Sequence, residues 1–363
     1  MLETSIDTIG GTIHVRNSWR PALWRLEPAT EIGAVDEGPF AFGEVRSVLL
    51  GPGNKVYIAD RMAARIQVFD SIGRHVRTIG RRGGGPSEFG ELYALGWLGD
   101  TLLTMDPRNA RLGLFSRDGD WLGSWRWQPL TGPPVRFHRA GKDEIYAPVV
   151  VSRAGAVQRG FARYVHDGPA DTLIPPSQPQ GLSSITVCPH PEGGGFSYFD
   201  VPFAGRFVTR AGPDGTLALA TSDAYRISFV GPGGDTLRIV EREAMPLPIG
   251  DEEWEREIAE YREFRARNSG IDCEPDQMPR PAHKPAFRML FWDTEGRLWG
   301  EAFRAGGFTF EIFDPEGRLI AEAAAPERDP DVPPHARGDA MVMVRRDSLG
   351  VQYVRRYEIL RGT

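Results

Sequence analysis

Apolar and polar positions alternate along most of this chain in short runs, and nearly every run stops at a polar turn that carries glycine. In KVYIAD (55–60), RIQVFD (65–70) and RHVRTIG (74–80) the apolar residues fall at every second place, with β-branched and aromatic side chains prominent. A period of two marks a strand with two different faces. EVRSVLLGPG (44–53) adds a strand upstream, so 44–80 reads as a four-stranded antiparallel meander.

The same order returns in 92–127, 135–175, 205–243 and 286–325. The turns SRDGD, GPDGT, GPGGD, DTEGR and DPEGR fall at equivalent places, each with a glycine able to take positive φ. Four-stranded units of about 40–45 residues repeated around a chain predict an all-β fold, a six-bladed β-propeller of antiparallel blades spanning 1–363 as one domain. The sixth copy, 335–360, is incomplete, and ALWRLEPATEIG (22–33) has the missing pattern. A propeller that stays open exposes two sheet edges. The N-terminal segment 12–33 is therefore expected to close the last blade.

Two segments interrupt the period. One, 176–203, is rich in proline, glycine and serine; the other, 250–284, contains DEEWEREIAEYREFRAR (251–267). There Trp254, Ile258 and Tyr261 fall on one helical face, acids crowd the start and arginines the end, as the helix dipole prefers. Gly270 is placed to stop this helix. Both insertions join an outermost strand to the next innermost strand, and such connections emerge on one face of the disc. Cys188 and Cys273 lie one in each insertion, so a bridge between them is geometrically possible.

Length and charge narrow the classes. The 363 residues carry a net charge of −6, which does not favour a nucleic-acid partner. No apolar run reaches the length of a membrane span, and the N-terminus lacks the basic start and apolar stretch of a signal peptide. The chain is expected in the cytoplasm unless an export segment lies outside it. Two cysteines match no zinc pattern, and no metal or cofactor set is read from the chain.

The stretch VYIADRMAARIQVFDSIGRHVRTIGRRGGGPSEF (56–89) resembles an NHL repeat, and the whole chain is similar to bacterial six-bladed propeller proteins of that type. YRISFVGPGGDTLRIVERE, the acidic helix, EGRLW and DSLGVQYVRRYEIL follow in matching order. The resemblance implies a fold and a binding role, and a periplasmic or membrane-peripheral place, since such proteins are commonly exported or lipid-anchored.

Candidate chemistry is sparse. GRRGGGPSEFG (80–90) lacks the Lys-Ser/Thr of a phosphate loop and reads as a connection between blades. Asp60 and Arg65 read as local turn partners. Arg46, Arg136, Arg206 and Arg288 each fall near the start of an innermost strand; in register, they would gather at the channel mouth, where guanidinium suits carboxylate or phosphate. A slip of one residue would send each into a groove between blades instead. His138 is the one histidine placed near the channel, and Glu44 the one obvious inner-strand acid. No catalytic set is assigned. The preferred function is a non-catalytic protein-interaction scaffold, of the kind an extrinsic subunit of a membrane-bound assembly provides, with Trp254 and the arginines as contact residues. The alternative is a channel-site hydrolase or lyase, or a receptor for a small anionic ligand, with His138 or Glu44 moving a proton.

Overall fold

The repeat is built on its turns. In DSIG, DTEG and DSLG the leading aspartate accepts backbone N–H bonds from the residues two and four places on. Asp70 takes Ile72 (3.1 Å) and Arg74 (2.8 Å), Asp293 takes Glu295 (3.0 Å) and Arg297 (2.8 Å), and Asp347 takes Leu349 and Val351 (2.9 Å each). The fourth residue then sits at positive φ, +82° at Gly73, +79° at Gly296 and +82° at Gly350. Glycine reaches that region without a Cβ clash.

A computed structural model of the chain describes residues 4–17, 21–35, 38–127, 137–139, 144–153, 156–166, 168–173, 185–190, 196–212, 215–243, 245–268 and 278–362. These turns fold it into a six-bladed β-propeller of antiparallel sheets. Blade 1 comprises Val45–Leu50, Val56–Asp60, Arg65–Phe69 and His75–Ile79; blade 2 runs from Ala94–Leu98 to Trp121–Arg126, and blade 3 from His138–Arg139 to Gly168–Leu173. Blade 4 runs from Phe207–Ala211 to Thr236–Arg242, and blade 5 from Phe287–Trp292 to Leu319–Ala324. Blade 6 has His335–Arg337, Ala340–Arg346 and Gln352–Leu360, with Arg25–Ile32 as its fourth strand.

The apolar core is a ring of grooves between neighbouring blades. Tyr57, Ile66 and Val68 of blade 1 pack against Leu95, Leu102 and Phe115 of blade 2. Ile227 and Phe229 of blade 4 meet Phe287 and Leu290 of blade 5. Val48 and Ile58 of blade 1 meet Val342 and Val354 of blade 6, together with Ile32 of the closing strand. Inner strands are thus apolar on both faces, and outer strands such as His75–Ile79 alternate.

The N-terminal segment closes the ring, but only its last part does so. Arg25–Ile32 pairs antiparallel with Gln352–Leu360. Thr12–Asn17, expected in the last blade, instead pairs parallel with Thr236–Arg242 of blade 4 and carries Ser5–Ile9 outside it. Ala22–Leu23 then pairs with Ala321–Glu322 of blade 5. The arm is a belt over the outer edges of three blades. The physical reason is that each outer strand presents unpaired N–H and C=O groups that any strand can satisfy. Asn17 pins the belt: its amide donates to the Gly317 carbonyl (2.9 Å) and its carbonyl accepts from Leu319 N–H (3.0 Å), in a nearly dry site.

The two insertions pack on each other. The first holds a hairpin, Ile185–Pro189 with Phe196–Asp200. The second holds α1 (Asp251–Glu257) and α2 (Ala259–Arg267), nearly continuous across Ile258. Trp254, Ile258 and Tyr261 are buried together against Val201, Cys188 and Met278. Asn268 caps α2, its amide donating to the Phe264 carbonyl (2.8 Å). Gly270 lies outside the described residues. No helix among the described residues is long and apolar enough to cross a membrane.

Candidate functional site

The connections from outer to inner strands and the turns between second and third strands all emerge on one face. On that face a cavity of ≈ 1090 Å³ opens over blades 4 and 5 and the link to blade 6, and the two insertions form its other walls. Phe199, Asp200, Pro202, Phe203 and Ala204 come from the first insertion, and Glu253, Arg256, Glu257, Glu260, Tyr261 and Lys284 from the second. Blade 4 supplies Arg206, Arg210 and Ser222. Blade 5 supplies Arg288, Met289 and Phe303–Ala305 with Gly307 and Phe308, and the link to blade 6 supplies Arg328.

Most of the cations have a counter-charge. Arg206 pairs with Asp200 (3.1 Å), Lys284 with Glu253 (2.7 Å), and Arg304 with the buried Glu311. Arg288 and Arg328 both hold Glu301, at 2.6 and 2.7 Å. Burial would raise the Glu301 carboxyl, but the two guanidiniums overcome it and hold the group below its ordinary value. Two arginines on one carboxylate leave that triad with an excess positive charge.

Arg210 is different. It is the fourth residue of the innermost strand Phe207–Ala211. Its Nε donates to the Leu290 carbonyl of blade 5 (2.7 Å) and its Nη1 to the Thr209 carbonyl (2.7 Å). No carboxylate among the described residues pairs with it, so burial pulls its pKa down to about 10. It stays charged at neutral pH, half-buried, and its remaining N–H donors are left for the cavity.

The sequence-derived candidates divide. Arg288 and Arg206 line the cavity together. Arg288 is the bulge residue of its strand, where the register shifts between Phe287 and Met289, and Arg46 occupies the matching bulge in blade 1. A bulge re-aims a side chain, which is how both escape strict alternation. Arg46 does not join the cavity. It pairs with Glu44 (2.7 Å), which also holds Arg61, and its guanidinium lies 5.4 Å from the Tyr93 ring centre. Glu44 is thus part of a local ion-pair chain, not a free acid at the channel. Arg136 lies outside the described residues, as does the side chain of His138. Trp254 is buried within the insertion core, where no partner can reach it, so it is not a surface contact. Cys188 is buried in the same core and is not a free thiol; Cys273 lies outside the described residues. Asp60 accepts from the Gly43, Glu44 and Ala63 N–H groups, a turn role. Among the described residues no group of three or more His, Cys, Asp and Glu is arranged to hold a metal ion.

Sequence reasoning missed Arg210 and the aromatic residues Phe203, Phe303 and Phe308. The available signal was a cation at the fourth position of FVTRA, an otherwise uncharged inner strand.

Residues 39–95 match the family model described as DUF5128, 6-bladed beta-propeller. No curated protein matches the chain. Among solved structures, a Bacteroides fragilis protein is 10% identical, with a TM-score of 0.51 over 96% of this chain and 99% of that one. A DUF4221 family member from Bacteroides vulgatus is 10% identical, with a TM-score of 0.48 over 94% of this chain and 100% of that one. The PQQ-bound aldose sugar dehydrogenase of Streptomyces coelicolor is 13% identical, with a TM-score of 0.45 over 94% and 100%. At such identities the likeness is one of fold.

Proposed function

We propose that the protein is a receptor for a small anionic ligand, held in the cavity between the two insertions and the mouth of the ring. The observation that carries this reading is Arg210, a guanidinium with backbone partners only, in a cavity where Arg288 and Arg328 share Glu301 and where the acids Glu257, Glu260 and Asp331 stand on the opposite side of the charge balance. A charge partly withdrawn from water without a counter-ion carries a desolvation cost, and an anion in the cavity offsets it. Charge-assisted hydrogen bonds to such an anion would each contribute about 1.5–3 kcal/mol. Binding, and not a particular reaction, is what this geometry supports. The scaffold reading loses Trp254 as a contact residue, because that side chain serves the interior of the insertions. A buried Cys188 without a free thiol fits an oxidising compartment such as the periplasm.

Thermal unfolding in the presence of inorganic phosphate, citrate, gluconate or 3-phenylpropionate tests the reading. A ligand that binds only the folded chain raises Tm by mass action. At least one of these anions should raise the wild-type Tm and have far less effect on Arg210→Gln, with affinity reduced roughly 10- to 100-fold. A wild-type Tm that no anion moves would contradict the proposal.

A further inference from the structure

The cavity's apolar wall says what kind of anion it takes. Phe203 of the first insertion and Phe303 and Phe308 of blade 5 form a continuous aromatic surface, with ring centres 6.1 Å and 4.8 Å apart in turn. All three are half-buried and line the same cavity as Arg210. Cations lie over one face of these rings: the Lys284 ammonium is 5.6 Å from the Phe203 ring centre and 6.0 Å from that of Phe303, and the Arg288 guanidinium stacks 3.5 Å from that of Phe308, which leaves the other faces and the ring edges for an apolar body. Apolar walls with a few convergent charges describe a site for a molecule that has both characters.

Phe203 supplies a second, independent observation. Its backbone φ is +58°, in a tight turn closed by the Ala204 N–H donating to the Val201 carbonyl (3.2 Å). A bulky residue in the left-handed region is strained, and glycine would make this turn at lower cost. Strain of this kind gathers where a side chain is held for a purpose. Here the turn holds a phenyl ring at the lip of the cavity, against Phe303.

We infer that the ligand is an amphipathic anion, a carboxylate or phosphate borne on an aromatic or aliphatic body, and that Phe203 is a specificity-determining contact for that body. This rests on the anion-receptor reading above. The charged group meets Arg210 and the apolar body lies on the Phe203–Phe303–Phe308 surface. Polyhydroxylated anions would leave their hydroxyls against phenyl rings and bind less well.

Calorimetric titration of the full chain with 3-phenylpropionate, gluconate and inorganic phosphate tests the inference. Wild type should prefer 3-phenylpropionate over gluconate by at least about tenfold, the scale of a buried phenyl contact. In both Phe203→Gly and Phe203→Ala that preference should fall towards unity. Their stabilities should differ, Gly unfolding at the higher temperature because alanine keeps the strain and glycine does not. If gluconate binds wild type as tightly as 3-phenylpropionate, or the preference survives both substitutions, the inference is wrong while the anion-receptor reading stands. If none of the three anions binds, the inference falls, and the anion-receptor reading falls with it when citrate also leaves the wild-type Tm unmoved.

Discussion

Arg206 and Arg210 stand four residues apart, near opposite ends of the innermost strand of blade 4, and meet different surroundings. Arg206 precedes the strand and reaches an exposed partner, Asp200; Arg210 is inside it and braces the Leu290 carbonyl of the next blade. Alternation predicts which residues share a face, but not which strand end begins at the channel, so Arg206 was legible as a candidate and Arg210 was not. The bulges at Arg46 and Arg288 were equally invisible, because one extra residue in a strand leaves no mark in an apolar pattern. At Glu301 the same scale gives a stability prediction. Arg328 and Glu301 are both almost fully buried, so Glu301→Gln leaves Arg328 without its counter-charge. That substitution should destabilise the fold by about 3–5 kcal/mol in chemical denaturation. An unchanged midpoint would show that the triad is not held as described.

Among the elements, the closing strand has the clearest electrostatic signature. Glu31, on Arg25–Ile32, is clasped by Arg345 and Arg355 of blade 6. Hydrogen bonding from Arg345, with Arg355 adding to it against partial burial, lowers the Glu31 pKa from 4.5 to about 2. A carboxylate with a depressed folded-state pKa stabilises the fold above its unfolded value and loses that contribution as pH falls through the folded one. Glu31→Gln should therefore cost about 1 kcal/mol at pH 7, the scale of a solvent-reached ion pair. The gap between wild type and variant should narrow between pH 4.5 and pH 2. Urea midpoints across that range check it; a constant gap would contradict the clasp. The insertion helix was legible from Trp254, Ile258 and Tyr261, because a helical period is a local property. The pairing of Cys188 with Cys273 remains a proposal, which a peptide map without reductant tests: it should yield one cross-linked pair and no free Cys188.

For the whole molecule, the repeated glycine turns and alternating strands were enough to announce a ring, since each blade states its own pattern. The belt was not legible. Thr12–Asn17 carries a generic strand pattern, and the outer edges of blades 4, 5 and 6 offer it the same backbone groups; the choice depends on contacts such as Asn17 with Gly317, far apart in the chain. The belt and the closing strand should separate in truncations. Removing residues 1–18 strips an outer hairpin and should lower Tm while leaving a cooperative transition. Removing 1–34 also takes the fourth strand of blade 6 and the Ile32 contact with blade 1, and should abolish cooperative unfolding by circular dichroism. If both truncations behaved alike, closure would not be the work of Arg25–Ile32. The proposed function rests on a different feature of the ring, the cavity that the insertions raise over its mouth. The most direct test is a crystal structure of the full chain with 3-(4-bromophenyl)propionate, located by the anomalous signal of its bromine. The account predicts the carboxylate within hydrogen-bond distance of the Arg210 guanidinium and the bromine beside Phe203, Phe303 and Phe308. A bromine peak outside the cavity, or a carboxylate turned away from Arg210, would contradict it.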